Sequence, residues 1–340
     1  MKSLRTLALG AAALLAAQLA GAAAQAQTRI AFANDWKWEG PAAPFLLALD
    51  KGYFEAEGLD VTMDTGKGSL DAIPRVAAGT YQMGAADINT LIKFRDQNPD
   101  LAVKAIFMIY NQPPFAVVGR KSLGVETPKD LEGKILGAPA PDGAYAQWKA
   151  FTKANGIDAS AVTIENVGFP VREPMLAQGK VDAITGFSFS SFINLKANGV
   201  PADDISVMLM TENGLDLYGN VVLVNPAFAE ENPEAVKAFL AALVKGFKET
   251  VADPAAAVKF VTAHNDVARE EVELERLEMA IADNIVTDEV RENGLGGVDM
   301  ERLETSIDQI ADTYDFTARP AAADVFDPSF LPAQADRMLD

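Results

Sequence analysis

Apolar positions along this chain recur in two rhythms. Short runs of about five residues are continuously apolar or alternate, which marks strands; between them apolar residues return every three or four positions, which marks helices. Residues 29–33 form a first short strand. Residues 41–52 predict a helix with Phe45, Leu46 and Leu49 on one face and Gly52 as its stop. Residues 59–63 alternate, with Val61 and Met63 on one face. An amphipathic helix over 69–78 turns Leu70, Ile73, Val76 and Ala77 inward. A small-residue strand over 82–86, a helix over 88–95 and apolar strands over 103–109 and 115–119 follow, the last two separated by turn residues 111–114. Strands alternating with helices at this spacing predict a mainly parallel α/β sheet.

Near Gly119 the pattern restarts. A helical turn over 127–131 leads to a strand over 134–138, a turn at Asp142 and Gly143, and a helix over 145–155 that ends at Gly156. Strands over 162–166, 183–186 and 206–210 enclose helices over 172–178 and 192–197, and a further strand covers 220–224. This second α/β unit is entered and left by single apolar strands. Two such crossings predict two lobes joined by a double hinge, lobe 1 from 27–117 with 225–340 and lobe 2 from 118–224. After Pro226 the chain is helical and acidic over 233–251, 254–264, 270–285 and 300–314, expected as a solvated layer on lobe 1. The tail from Arg319 holds three Pro and no periodicity, and an extended surface path is expected.

Residues 1–26 carry Lys2 and Arg5, an apolar run over 7–24 and small residues at Ala24-Gln25-Ala26. A basic start, an apolar middle and an A-x-A end predict a cleaved secretory signal, with cleavage near Ala26 and a soluble product in the periplasm. The sequence has no Cys, so a lipid anchor, disulfides and thiol chemistry are excluded. Losing Lys2 and Arg5 leaves 27 of the 29 basic residues against 48 acidic ones, a net charge of −21. That charge repels nucleic acid and anionic membranes. The single His, His264, lies near a helix end and is expected on the surface or as a cap. Scarcity of His and Cys argues against most hydrolytic and metal chemistry.

Four segments in this order, DKGYFEAEGLDVTM, GKGSLDAIPRVAAGTYQMGAAD, LEGKILGAP and MLAQGKVDAITGF, resemble periplasmic solute-binding proteins of the nitrate/sulfonate/taurine and thiamine-pyrimidine-precursor group. The resemblance covers roughly residues 28–260. It implies the type II periplasmic-binding-protein fold: two lobes, each a mainly parallel sheet flanked by helices, closing by hinge bending on a solute in the cleft. It also implies an ABC permease and ATPase as partners, a monomer, and no metal or cofactor.

The residues add detail to that picture. Gly68 and Ser69 open a helix, where glycine lets backbone approach a ligand and free N–H groups favour an acceptor; Ser69 as an ordinary N-cap is the rival reading. In the resembled family the loop after the first strand lines the cleft. Here it supplies Asn34, Asp35, Trp36, Lys37, Trp38 and Glu39, and an extended course would put both Trp side chains on one side. The second lobe offers Asp142, Gly143 and Tyr145. Family members that hold anions often have Ser or Thr near here, so Asp142 points away from sulfonate or nitrate and towards an amine or ring N–H, unless it is simply a cap. Tyr110 beside the hinge, Phe187 past a strand end and Asp87 at the end of the third strand complete the candidates; Phe115, Phe189, Asn89 and Glu173 are weaker ones. The expected function is a receptor that captures a small nitrogen-containing ring or amine. An alkylsulfonate or taurine receptor is the alternative, and a pyrimidine-synthesising enzyme or a sensory receptor are more distant readings.

Overall fold

The computed structural model describes residues 27–339. Residues 1–26, where a secretory signal and its cleavage point are expected, lie outside the described residues. Ten strands are β1 (Thr28–Ala33), β2 (Leu59–Asp64), β3 (Met83–Asp87), β4 (Lys104–Met108), β5 (Phe115–Arg120), β6 (Ile135–Ala138), β7 (Thr163–Asn166), β8 (Ala183–Phe187), β9 (Ile205–Leu209) and β10 (Asn220–Val224). They form two five-stranded sheets, ordered β2-β1-β3-β10-β4 and β7-β6-β8-β5-β9.

Both sheets follow one plan. β1 pairs in parallel with β2 and β3, whereas β10 runs antiparallel to β3 and β4. β6 pairs in parallel with β7 and β8, whereas β5 runs antiparallel to β8 and β9. Each sheet is therefore mainly parallel with one reversed strand, and the reversed strand is the one delivered by a crossing. β4 ends at the edge facing the other sheet. A chain crossing from there enters the second sheet at the carboxyl ends of its strands and must run backwards through it. The return from β9 to β10 repeats the geometry. Central strands β3 and β10 are buried along their whole length, consistent with helices on both faces.

Helix Ser69–Ala77 buries Ser69, Ala72, Ile73 and Val76, a stripe at i, i+3, i+4 and i+7. Leu70 falls off that stripe and is 54% exposed, not inward as its hydrophobicity suggests. The acidic helices after Pro226 form more than a solvated layer on one sheet. Helix Pro233–Ala252 packs on helix Ala43–Asp50, but helix Glu270–Ala280 also meets Ser188–Ala197, the helix after β8, and helix Met300–Tyr314 meets Trp148–Ala154. Leu303, Ile307 and Ile310 share a core cluster with Trp148 and Phe151. The tail departs from expectation too. It forms short helices Ala322–Val325 and Gln334–Arg337, buries Val325 and Phe326, and bridges Phe326 to Ala105 of β4. Its buried apolar residues, Ala322, Val325 and Phe326, fall within a single turn, too short a stretch to register as a period. Among the described residues, no helix is long and apolar enough to cross a membrane.

Candidate functional site

A cavity lies between the facing edges of the two sheets, at the carboxyl ends of β1, β6 and β8, where open α/β sheets place ligands. Measured as room for the centre of a water molecule, its volume is about 80 Å³. Nine of the twelve candidates line it: Asn34, Asp35, Trp36, Gly68, Ser69, Tyr110, Asp142, Gly143 and Phe187.

The loop after β1 supplies the first wall. It does not stay extended but bends, held by Gly68 N–H donating to the Asp35 carbonyl at 2.7 Å and Asn34 Nδ2 donating to the Trp36 carbonyl at 2.9 Å. The bends send the two Trp side chains apart. Trp36 enters the cavity and meets the edge of Phe169 at 4.5 Å, while Trp38 packs against the Leu46 and Leu277 cluster and does not line the site. Gly68 has φ of 103°, and a Cβ there would stand 2.6 Å from the Pro141 carbonyl oxygen on the other side of the cleft. Only glycine tolerates both conditions. Ser69 is no cap: Gly68 holds that position. The Ser69 hydroxyl instead donates to Asp35 at 3.3 Å and accepts the Asp87 N–H at 3.0 Å.

Asp35 is the electrostatic centre of this wall. Its Oδ2 accepts from Asn220 Nδ2 at 2.8 Å and from Ser69. Among the described residues no Lys, Arg or His forms an ion pair with it. Burial pushes its carboxyl up to about 7, although the Asn220 and Ser69 hydrogen bonds pull the other way. The Asn220 Oδ1 is buried without a partner. Asp87, a further candidate, does not line the cavity. It caps helix Ile88–Gln97, accepting from Asn89 N–H at 3.0 Å and Thr90 N–H at 2.8 Å, and burial pushes it up to about 6. Gly143 stands against it, leaving Asp87 behind the wall.

The opposite wall comes from the second sheet. Asp142 is 5% exposed and accepts from Thr185 Oγ1 at 3.0 Å and Ala144 N–H at 3.2 Å. Burial raises its carboxyl, with Arg172 opposing. Arg172, from the helix Phe169–Ala177, lies 3.5 Å from Asp142 and 2.6 Å from Glu173. Burial works against its charge, but the two carboxylates outweigh it and hold the guanidinium above its usual value. Asp142 therefore does not face the ligand as a lone negative charge; its charge is answered inside the wall. Tyr145, the last candidate, opens the turn Tyr145–Gln147 and packs on the core instead of the cavity.

The floor is aromatic. Phe187 meets Phe189 at 5.9 Å and Tyr110 at 6.3 Å, each edge to face. Burial raises the Tyr110 hydroxyl, with Asp35 and Glu39 adding to the effect. Glu39, Phe169, Arg172 and Asn220 also line the site but fall outside the sequence-based candidates. Glu39 sits in the same loop as Trp36 and could have been included. Asn220 begins the returning strand, which places it next to Asp87 in β3 through a pairing that no local pattern reveals. His264 ends helix Pro254–His264, pairs with Asp50 at 2.9 Å and does not line the cavity. Among the described residues no group of three or more His, Cys, Asp or Glu could hold a metal ion.

Comparison with known proteins agrees with this architecture. A formylaminopyrimidine-binding protein from Halalkalibacterium halodurans is 28% identical over 303 residues, 85% of this chain and 86% of that protein. The riboflavin-binding protein RibY from Chloroflexus aurantiacus is 26% identical over 214 residues, and the match spans 59% of that protein's length. A 4-amino-5-hydroxymethyl-2-methylpyrimidine phosphate synthase from Aspergillus parasiticus is 29% identical over 239 residues, 67% of this chain and 68% of that protein. Among solved structures, the nitrate-binding protein NrtA from Synechocystis PCC 6803 superposes with a TM-score of 0.69 at 12% identity, over 89% of this chain and 87% of that one. The alkanesulfonate-binding protein SsuA from Xanthomonas axonopodis pv. citri, bound to MOPS, superposes with a TM-score of 0.66 at 15% identity, over 90% and 99%. These neighbours establish the periplasmic-binding-protein fold. The NMT1/THI5-like family model matches residues 41–257, and the chain belongs to that family.

Proposed function

We propose that this chain is the extracytoplasmic receptor of an ABC importer, and that it captures a small nitrogen-containing ring or amine without transforming it. The carrying observation is Asp35: a buried carboxylate on the cavity wall, among aromatic rings, with no cationic partner among the described residues. A ligand N–H or ammonium would supply what that carboxylate lacks. Trp36, Phe187 and Tyr110 offer ring faces and edges, each worth about 0.5–1.5 kcal/mol. Micromolar affinity needs only about −8 kcal/mol. The two lobes would each be built on one sheet and hinged at the two crossings. Because β5 (Phe115–Arg120) pairs into the second sheet and β10 (Asn220–Val224) into the first, the expected bounds at 117/118 and 224/225 move to the crossings before β5 and before β10. The export segment, the periplasmic location, a monomeric state and delivery to a permease with its ATPase belong to this proposal. The names of the formylaminopyrimidine- and riboflavin-binding relatives support a heterocycle.

A sulfonate is the second reading, and it rests on Arg172 lining the cavity. Two carboxylates already engage that guanidinium, which favours the first. Synthesis of a pyrimidine is disfavoured because the chain has no Cys and its single His is engaged by Asp50 away from the cavity. The test is calorimetric titration of the mature protein with 4-amino-5-hydroxymethyl-2-methylpyrimidine, riboflavin, taurine, MOPS and nitrate. Saturable binding of a heterocycle, recovered unchanged by mass spectrometry, is expected. Binding of taurine or MOPS alone, or product formation, would overturn the reading.

A further inference from the structure

Glu39 sits where three separate parts of the molecule meet. It belongs to the loop after β1. Its Oε2 accepts the Trp36 indole N–H at 3.1 Å and the Ser190 hydroxyl at 3.2 Å, and Ser190 lies on helix Ser188–Ala197 after β8, across the cavity. Arg276 of helix Glu270–Ala280 approaches from the third side. Its Nε stands 3.8 Å from Glu39 Oε2 and is buried with no hydrogen-bond partner.

The loop and helix Glu270–Ala280 are locked together. The Gly40 N–H donates to Glu273 at 2.7 Å, and a Cβ on Gly40 would stand 2.2 Å from the Glu273 carbonyl oxygen. Glu273 in turn grips the Arg276 guanidinium. The helix Ser188–Ala197 belongs to the other sheet and touches this unit by few polar ties: Ser190 to Glu39, Asn194 Oδ1 to Arg276 at 2.9 Å, and Lys196 to Glu275. Of these, only the Glu39 contact also fixes a side chain of the cavity wall. The same carboxylate thus sets the Trp36 ring and reaches across the cleft.

We propose that Glu39 is a positioning residue that couples the seating of a ring against Trp36 to closure onto helix Ser188–Ala197, with Arg276 and Lys37, each 3.8 Å from its carboxylate, as its counter-charges. The inference rests on the receptor reading above. With the lobes apart, Ser190 is withdrawn and the carboxylate keeps Trp36 and Arg276. With the lobes together, one oxygen holds the indole and the opposite helix at once. A ligand that braces Trp36 therefore favours the closed arrangement, and closure in turn immobilises the wall the ligand stacks on.

The test uses the absence of native Cys. Spin labels at Thr65→Cys and Asn166→Cys, exposed at the cleft-side ends of the outer strands β2 and β7, report lobe separation by electron-electron resonance in the ligand-free protein. Dissociation of 4-amino-5-hydroxymethyl-2-methylpyrimidine is followed in parallel by stopped flow. In E39A the closed fraction should fall about five-fold, as expected for losing the Ser190 contact made only with the lobes together, and the probe should leave about ten-fold faster because the bond that sets Trp36 is lost as well. E39Q keeps both acceptor contacts and should stay within about two-fold of the parent, while S190A should shift part of the way towards E39A. A merely structural Glu39 would lower thermal stability and leave the closed fraction alone. Equal closed fractions in E39A and the parent, or a ligand-free parent with no closed fraction, overturn the proposal. Should E39A not fold, an S190A closed fraction equal to the parent's does the same. A parent that fails to bind the probe counts against the ring reading of the site, and the distance measurement still decides the role of Glu39.

Discussion

Trp36 and Phe169 meet edge to face at 4.5 Å although one follows a strand of the first sheet and the other opens a helix of the second. The contact makes one aromatic corner out of two lobes. Lys37 lies over the Trp36 ring at 5.1 Å, so one face of the indole already has a cation near it. A flat ligand would take the other face. Trp36→Ala should weaken binding of 4-amino-5-hydroxymethyl-2-methylpyrimidine about ten-fold or more, since a stacked pair contributes about 0.5–1.5 kcal/mol beyond its area. Phe169→Ala should cost less, because it holds Trp36 from the edge. Calorimetry of the two variants checks the order; equal affinity for parent and Trp36→Ala would remove the indole from the site.

Gly68 sets the distance of closest approach. A methyl group there would meet the Pro141 carbonyl at 2.6 Å and would sit at φ 103°. Gly68→Ala should therefore carry about 1–3 kcal/mol of backbone strain and hold the lobes apart. Small-angle scattering with and without ligand should show a larger radius that no longer shrinks on addition. A variant that compacts like the parent would show that the close approach is dispensable.

Burial moves Asp35 to about 7 and Asp87 to about 6, from 3.8 for an ordinary aspartate. The sign of the stability effect follows from proton counts. In the unfolded chain both groups lose their protons near pH 4; in the folded protein they keep them until pH 6–7. The folded state thus binds more protons in this window, and these two groups make stability fall as pH rises from about 4 to about 7, with no further change above. Asp35→Asn removes the Asp35 share. Its melting temperature should exceed the parent's at pH 8, and the difference should shrink towards pH 4. Calorimetric scans across that range test this, and a pH-independent difference would contradict it. The same variant should bind a protonated amine far more weakly, because the carboxylate charge is gone.

Arg172 is 4% exposed between Asp142 and Glu173. Removing it leaves two buried carboxylates without a cation. Arg172→Met should destabilise the protein by about 3–5 kcal/mol, whereas the triple replacement Arg172→Met, Asp142→Asn, Glu173→Gln should recover much of that loss. Urea unfolding of both variants measures it. A single variant as stable as the parent would mean that water, not Arg172, balances the two acids.

Much of the fold was legible because strand and helix periods are local. The strand over 220–224, the helices 254–264 and 300–314 and a double crossing follow from apolar spacing within a few turns of chain. The crossings themselves fall before β5 at Phe115 and before β10, not at Gly119 and after Val224, because sheet membership depends on pairing that spacing does not show. The loop Asn34–Trp36 and the pair Gly68–Ser69 could be singled out because the resembled family lines its cleft with the loop after the first strand, and that resemblance tipped the Gly68–Ser69 turn from an ordinary cap towards the ligand. Trp38 could not be separated from Trp36, since an extended loop and a bent one differ only in hydrogen bonds to residues 64–68.

The sequence by itself determined the elements, the two-unit plan and half of the cavity wall, because each depends on residues close together along the chain. The tertiary structure alone decided that Asn220 hydrogen-bonds Asp35, that Arg172 neutralises Asp142, and that Glu39 reaches Ser190. Those partners lie 185, 30 and 151 residues apart, and sheet order rather than local spacing brings them together.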